Sequence, residues 1–292
     1  ICKKVTDPGQ GIYGTLYPIG FMESWYWVTY LWSAGGEVIE YDEATDQWTA
    51  VYNSKAGVLA LDFYNRLCNE VWYDKEGRKR YGYVMRETTD SSRKWEMGEI
   101  ALNTTYINEK TFASLNPDVT GVVAVPIGPG GHRGAELNSR MWGIFADVKD
   151  PAVRDAAWEY LKFLDCKDAV EIRTRILVEG GLGRFVNPRY LRLFGYDDII
   201  RMAPRELEEC FNISVETGRP EPYGRNCQLV YEVMTHPLQK AAELAHKGDL
   251  PADEAARHAV LKKFLDEAAL EANEKMIGRI EPRELLKRRI TA

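Results

Sequence analysis

Large apolar side chains crowd residues 21–36, FMESWYWVTYLWSAGG, and recur every three or four positions. That period predicts a helix with Trp25 over Trp32, Tyr26 over Tyr30 and a stop at Gly35-Gly36. Rings fall on more than one side, so the helix is either deeply buried or lends one face to a pocket, and both can hold at once. Ahead of it, alternation over 12–17 between glycine- and proline-rich turns predicts a short strand. Behind it, 38–41 and 47–52 read as a hairpin around the polar DEATD. Ser54 reads as the N-cap of a helix that buries Val58, Leu61, Tyr64, Leu67, Cys68 and Val71. Residues 74–95 read as a charged loop.

Short apolar runs at 100–103, 119–126 and 141–146 predict buried strands, with a helix start at 104–106 and a glycine turn at 128–131. Asp150-Pro151 supplies an N-cap and a first-turn proline for a helix burying Val153, Ala157, Tyr160, Leu161 and Leu164. Another helical stretch reaches Val178 and stops at Gly180-Gly181. Short helices follow over 189–216, a linker at 218–224, then helices at 226–246 and 252–277. The last should bury Ala256, Val260, Phe264, Leu265 and Ala268, and the tail from 281 is a charged connector. Strands interleaved with helices indicate an α/β layered fold.

Composition narrows the function classes. The 292 residues are 45% hydrophobic and 28% charged, which suits a globular chain with a sizeable core. A net charge of −6 argues against a nucleic-acid partner, because phosphates select a basic face. Five cysteines lie scattered without metal spacing and read as structural thiols, which leaves the redox compartment open. No apolar run approaches the about 18–20 residues that span a bilayer. No leader is visible, although the chain opens at Ile1 rather than Met. GPGGHRG lacks the Gly-Lys-Ser/Thr ending of a phosphate loop, the four histidines show no zinc spacing, and no Gly-x-Ser-x-Gly elbow occurs. No metal and no cofactor are expected.

The order of these segments resembles the bacterial extracellular solute-binding proteins of ABC importers (family 1), in the sugar-binding group that includes the maltose-binding protein. ESWYWVTYLWSAGG, MGEIALNTTYINEKTF, VVAVPIGPGGHRG, MWGIFADVKDPAVRDAAWEYLKFL, GLGRFVNPRYL and CQLVYEVM stand in family order over roughly residues 10–277. The resemblance implies a two-lobe, type II periplasmic-binding-protein fold. It also implies that the family's opening part is missing here. On that reading 1–137 and 186–277 belong to the second lobe, 138–185 is a returning segment of the first, and 278–292 is a connector.

A sugar offers apolar C–H faces and a belt of hydroxyls, so its site needs flat rings and fixed polar groups. By resemblance Trp25, Tyr26, Tyr106 and Tyr231 supply rings. Glu23 and Asn103 serve hydroxyls, and Asn138, Arg140 and Trp142 lie at the crossover near the hinge. Core packing is the competing reading for every ring, most of all for Trp27, Tyr30 and Trp32. A surface cap or ion pair is the competing reading for Glu23, and pairing with Glu136 for Arg140. The implied function is non-enzymatic: a monomeric periplasmic or extracytoplasmic receptor captures a carbohydrate between two lobes and passes it to membrane permease subunits. Two alternatives stay open. One is a glycoside hydrolase pairing Glu23 with Glu96 or Glu99, which needs carboxyls about 5–5.5 or 6.5–9.5 Å apart. The other is a receptor of the same shape for peptides or polyamines, with a more charged pocket.

Overall fold

The computed structural model describes residues 1–17, 19–21, 23–86, 91–106, 119–138, 141–202, 205–224, 226–275 and 277. Two compact units emerge, the first comprising Ile1–Thr104, Val125–Leu137 and Thr217–Ala292, the second Thr105–Ala124 and Asn138–Glu216. By contact, 105–124 and 186–216 therefore group with 138–185.

The first unit opens with helix α1 (Cys2–Val5) and strand β1 (Tyr13–Leu16), followed by the aromatic helix α2 (Ser24–Ser33). Gly35 adopts φ 85°, and the Gly36 N–H donates to Leu31 O at 2.9 Å, which stops α2 where the glycine pair predicts. Strands β2 (Ile39–Asp42) and β3 (Gln47–Ala50) form the expected antiparallel hairpin. Helix α3 (Lys55–Asn69) begins on Ser54, whose Oγ accepts from the Gly57 N–H at 3.3 Å. Its inward arc holds Val58, Leu61, Tyr64 and Cys68; Val71 instead lies exposed in the next strand.

The stretch 74–95 is not a loop. Strands β4 (Val71–Tyr73) and β5 (Lys79–Tyr81) pair antiparallel, β6 (Val84–Met85) follows, and α4 (Ser91–Glu96) precedes β7 (Ile100–Leu102). Alternation is hidden here because both faces of the small hairpin are wet, and its charges are spent locally. Asp74 accepts from Arg78 Nε at 2.9 Å and from Arg80 Nε at 2.8 Å. Strands β6, β1 and β7 form a parallel sheet in that order, with Thr15 opposite both Val84 and Leu102.

In the second unit, α5 (Pro151–Leu164) is capped by Asp150, whose Oδ1 accepts from the Ala152 N–H at 2.9 Å. Then come α6 (Lys167–Glu179), α7 (Pro188–Leu193), α8 (Asp197–Met202) and α9 (Arg205–Thr217). Back in the first unit, α10 (Val230–Lys247) and α11 (Glu254–Lys275) lie against each other and against α3. Trp27, Leu31 and Trp32 of α2, Leu61 of α3, Tyr231 and Met234 of α10 and Leu261 and Leu265 of α11 are fully enclosed. The buried arc of α11 runs through Leu261, Leu265, Ala268 and Ala272, so Leu265 and Ala268 of the predicted stripe are buried while Ala256 is exposed.

Three further expectations fail. Residues 119–126 and 141–146 are irregular and largely exposed, and α5 has no buried residue; Val153 and Tyr160 face outward. Apolar content favours burial, but a strand exists only where a neighbour takes its N–H and C=O groups. Among the described residues of the second unit, no strand does so. Residues 104–106 are not helical, and the expected continuation lies outside the described residues.

Helices α3 and α11 are joined by a charge pair: Arg257 Nε donates to Asp62 Oδ1 at 2.6 Å and Nη2 to Oδ2 at 3.3 Å. Burial pushes the Asp62 carboxyl up, but the Arg257 hydrogen bond and charge outweigh it and hold the group below its ordinary 3.8. Asp62→Asn should therefore lower urea stability at pH 7 by about 3 kcal/mol. A depressed carboxyl stabilises fully above the unfolded value and loses that contribution as pH falls through the folded one. The gap between parent and variant should close below about pH 4; a gap constant down to pH 2 would contradict the pairing.

Candidate functional site

In an open parallel sheet the crevice lies beyond the carboxyl ends of the strands, where the chain switches direction of winding. Here β1 is central, with β6 on one side and β7 on the other. Tyr17, Arg86 and Asn103 follow these strands at that edge, each one residue past its strand's end, and α2 starts from the same edge after β1.

Rings run in a continuous row from this edge. The Trp25 and Tyr26 centroids lie 6.3 Å apart, Tyr26 and Tyr17 5.5 Å, Tyr17 and Tyr30 6.3 Å edge-on, and Tyr30 and Phe63 5.3 Å. Trp25, Tyr26 and Tyr30 are half-buried, while Tyr17 is buried beneath them. The Tyr17 and Tyr30 hydroxyls bond each other. Burial raises both phenols, Tyr30 well above the ordinary value, so they act as neutral donors and acceptors. Helix α2 thus divides its rings: Trp27 and Trp32 enter the core, and Trp25, Tyr26 and Tyr30 form a second surface.

A strap of residues 125–137 fixes the outer edge. A Cβ on Gly134 would lie 1.9 Å from Thr29 O, and one on Gly128 2.4 Å from Ser33 O, so only glycine lets the strap touch the helix backbone. The strap carries Glu136 to the row of rings, where its Oε2 accepts from Trp25 Nε1 at 2.9 Å. Arg219 anchors it, donating its N–H to Ala135 O at 2.9 Å and its Nη1 to Glu37 Oε2 at 3.0 Å.

Beneath the rings, Glu23 is 5% exposed. Its Oε1 accepts from Arg86 Nη2 at 2.6 Å and from the Tyr64 hydroxyl at 2.9 Å, while Arg86 Nη1 reaches Cys68 Sγ at 3.4 Å. Burial pushes the Cys68 thiol up to about 12, leaving it protonated. A buried carboxylate needs such partners, and this one ties the end of β6 to the start of α2. Glu23 is thus engaged within the frame of the site.

The remaining sequence-derived candidates are placed as follows. Asn103 is exposed at the sheet edge. Tyr231 is 2% exposed in the core, and its backbone carbonyl accepts from Ser24 Oγ at 2.5 Å, so it backs α2 from inside. Tyr106 is half-buried and Asn138 and Trp142 are exposed; all three belong to the second unit. Arg140 lies outside the described residues. Sequence reasoning missed Tyr17 and Arg86, although each follows a strand end. It had no signal for the Glu136 contact, 111 positions from Trp25. Among the described residues no group of three or more His, Cys, Asp and Glu is placed to hold a metal ion, and no helix is long and apolar enough to cross a membrane.

This architecture is a helix-rich α/β arrangement and a part of the two-lobe, type II binding-protein fold. In particular, the chain is similar to the maltose/maltodextrin-binding domain MalE from Bdellovibrio bacteriovorus, solved bound to maltotriose, with a TM-score of 0.61 at 14% identity over 92% of this chain and 63% of that one. It is also similar to maltose-bound T. maritima MalE3, with a TM-score of 0.55 at 18% identity over 90% of this chain and 61% of that one. The chain thus spans less than two thirds of the length of these structures. No protein-family model and no curated protein matches the sequence. At such identities the likeness is one of fold.

Breaking the Glu23–Arg86 pair tests its framing role. Arg86→Leu should cost about 3–5 kcal/mol in urea unfolding, because it strands a buried carboxylate. The double variant Glu23→Leu with Arg86→Leu should recover most of that loss. A double variant no more stable than the single one would contradict the role.

Proposed function

We propose that this protein is the substrate-binding component of an ABC importer and that its ligand is a carbohydrate, an oligosaccharide in particular. The observation that carries the reading is the row of half-buried rings along α2, ending at the carboxyl edge of the parallel sheet. A ring face covers a sugar's C–H surface, while exposed Asn103 at the same edge offers an amide to hydroxyls. The solved neighbours hold maltotriose and maltose, which favours a glucose oligomer.

The rest of the reading belongs to the same proposal: an extracytoplasmic location, delivery to membrane permease subunits, and capture by closure of two lobes. A ligand shifts such a hinge only through contacts that it gains in the closed state. The second-lobe assignment of 1–137 and 186–277, with 138–185 returning from the first and 278–292 as connector, stands here too. Trp25 and Tyr26 are the principal contacts, with Tyr106, Asn138, Arg140 and Trp142 as further ones. Binding without chemistry also fits the carboxylates: Glu23 is committed to Arg86, and Glu99 lies 3.3 Å from Lys94. Peptides and polyamines would call for a more charged site: rings attract cations, but Glu23, the carboxylate beneath them, is already paired with Arg86.

Isothermal titration against maltose, maltotriose and longer maltodextrins tests the reading. Binding is expected, and Trp25→Ala should weaken it at least tenfold, about 1.4 kcal/mol, with the urea midpoint unchanged. No heat with any oligosaccharide, or turnover of the sugar during incubation, would overturn it.

A further inference from the structure

Positive charge in this acidic chain collects at one place that the row of rings does not use. Ile127, Gly131, His132 and Arg133 of the strap, with Thr217 and Arg219 after α9, line a pocket of about 280 Å³ within the first unit. Its wall is the glycine segment that lacks a phosphate-loop ending. There the Gly128 N–H donates to His132 O at 2.9 Å and the Gly131 N–H to Gly128 O at 3.0 Å, so the turn closes on itself. Ile127 and Arg133 face each other across an antiparallel bridge. The His132 ring lies over the end of α2, where a Cβ on Gly35 would stand 3.4 Å from its Cδ2. The wall is therefore built before any ligand arrives.

The charges on this wall are not balanced. Among the described residues five arginines of the first unit are half-buried: Arg80, Arg86, Arg133, Arg219 and Arg257. Four hold a carboxylate, Arg80 with Asp74, Arg86 with Glu23, Arg219 with Glu37 and Arg257 with Asp62. Arg133 holds only the Val125 carbonyl, to which its Nη1 donates at 2.5 Å. A guanidinium partly withdrawn from water without a counter-charge is costly, so this position calls for an anion. Glu37 does not supply it. Its Oε1 accepts from Trp32 Nε1 at 2.9 Å and from the Val38 N–H at 2.8 Å, and its Oε2 from Arg219 Nη1 at 3.0 Å. Glu136, the strap's own carboxylate, is held at Trp25 Nε1. In both arginines of the pocket the side-chain bonds run through Nη1, which leaves Nε and Nη2 without a partner among the described residues. That edge, with its two parallel N–H groups, matches a carboxylate or phosphate bidentately.

We infer that this pocket is an oxyanion site, in which Arg133 and Arg219 grip the phosphate or carboxylate group of a small organic anion and the His132 imidazole supplies a further donor. The volume leaves room for a carbon frame beside the anionic group, and Ile127, 61% exposed, offers that frame an apolar wall. Two guanidiniums against one fully engaged carboxylate give the positive excess that holds such a group. The pocket shares no residue with the aromatic row, so it stands whether or not those rings take a sugar.

Isothermal titration of the 292-residue chain tests the site, with chloride exchanged for the anion so that ionic strength stays constant and general screening drops out. Glycerol 3-phosphate and succinate serve as probes, the first for a phosphate source and the second for a carboxylate one. One of them should saturate with a Kd of about 1 mM or tighter. Arg133→Gln should weaken that binding at least tenfold. Arg133→Lys, which keeps the charge but loses the fork, should weaken it less but measurably. Because Arg133 also ties down Val125, a second readout uses the unaltered protein. In ¹H–¹⁵N spectra of its arginine side chains, the Nε–H resonances of Arg133 and Arg219 should move along the same saturation curve while those of Arg86 and Arg257 stay in place. No saturation by either probe below about 10 mM would overturn the inference. So would equal affinity in Arg133→Gln, or Nε–H shifts confined to arginines outside the pocket.

Discussion

A ten-residue helix with large rings on every side must satisfy two environments at once, and the first unit is arranged around that demand. Trp27, Leu31 and Trp32 point into the helical layer formed by α3, α10 and α11, where each large side chain contributes about 1.5–3 kcal/mol by leaving water. The opposite rings cannot follow them. They are instead propped by Tyr17 from the sheet side, by Tyr64 of α3 and by the glycine strap along the backbone. The result is an aromatic surface held rigidly by core packing on its far side, which suits a recognition surface that should not reorganise on binding.

The polar groups around this surface follow the same logic. Ser24, Thr235 and the Tyr231 carbonyl stitch the start of α2 to α10, while Glu23 and Arg86 stitch it to the sheet. Removing two charges from water costs several kcal/mol per ion, so this pair stands as a positioning device rather than a source of net stability. Its value is geometric: it fixes where the helix leaves the carboxyl edge of the sheet, and with that where Trp25 and Tyr26 project. Glu136 does the corresponding work from the strap by holding the Trp25 indole N–H.

How much of this could be read from the sequence depended on the range of the cause. Ser54 and Asp150-Pro151 announce helix starts because a cap is satisfied within three residues, and Gly35 announces a stop because one positive φ ends the helix. The parallel core strand β1 was legible from alternation. By contrast, MWGIFA and VTGVVAVP carry strand composition without strand structure, since pairing is a property of the neighbour and not of the segment. The hairpin of 71–81 was hidden for the opposite reason: its charged side chains mask the period. Nothing local distinguishes Trp25 from Trp27 on a helix aromatic all round. Nor does anything in CQLVYEVM say that Tyr231 turns inward, since that depends on α2 lying against it.

The division of labour on α2 can be observed directly. The protein has eight tryptophans, and labelling them with 5-fluorotryptophan gives resolvable ¹⁹F resonances that single Trp→Phe variants assign. On adding maltotriose, the Trp25 resonance should shift while those of Trp27 and Trp32, sealed in the core, stay in place. A saturating titration that leaves Trp25 unmoved, or moves only the two buried indoles, would contradict the claim that one helix serves the core with one face and the ligand with the other.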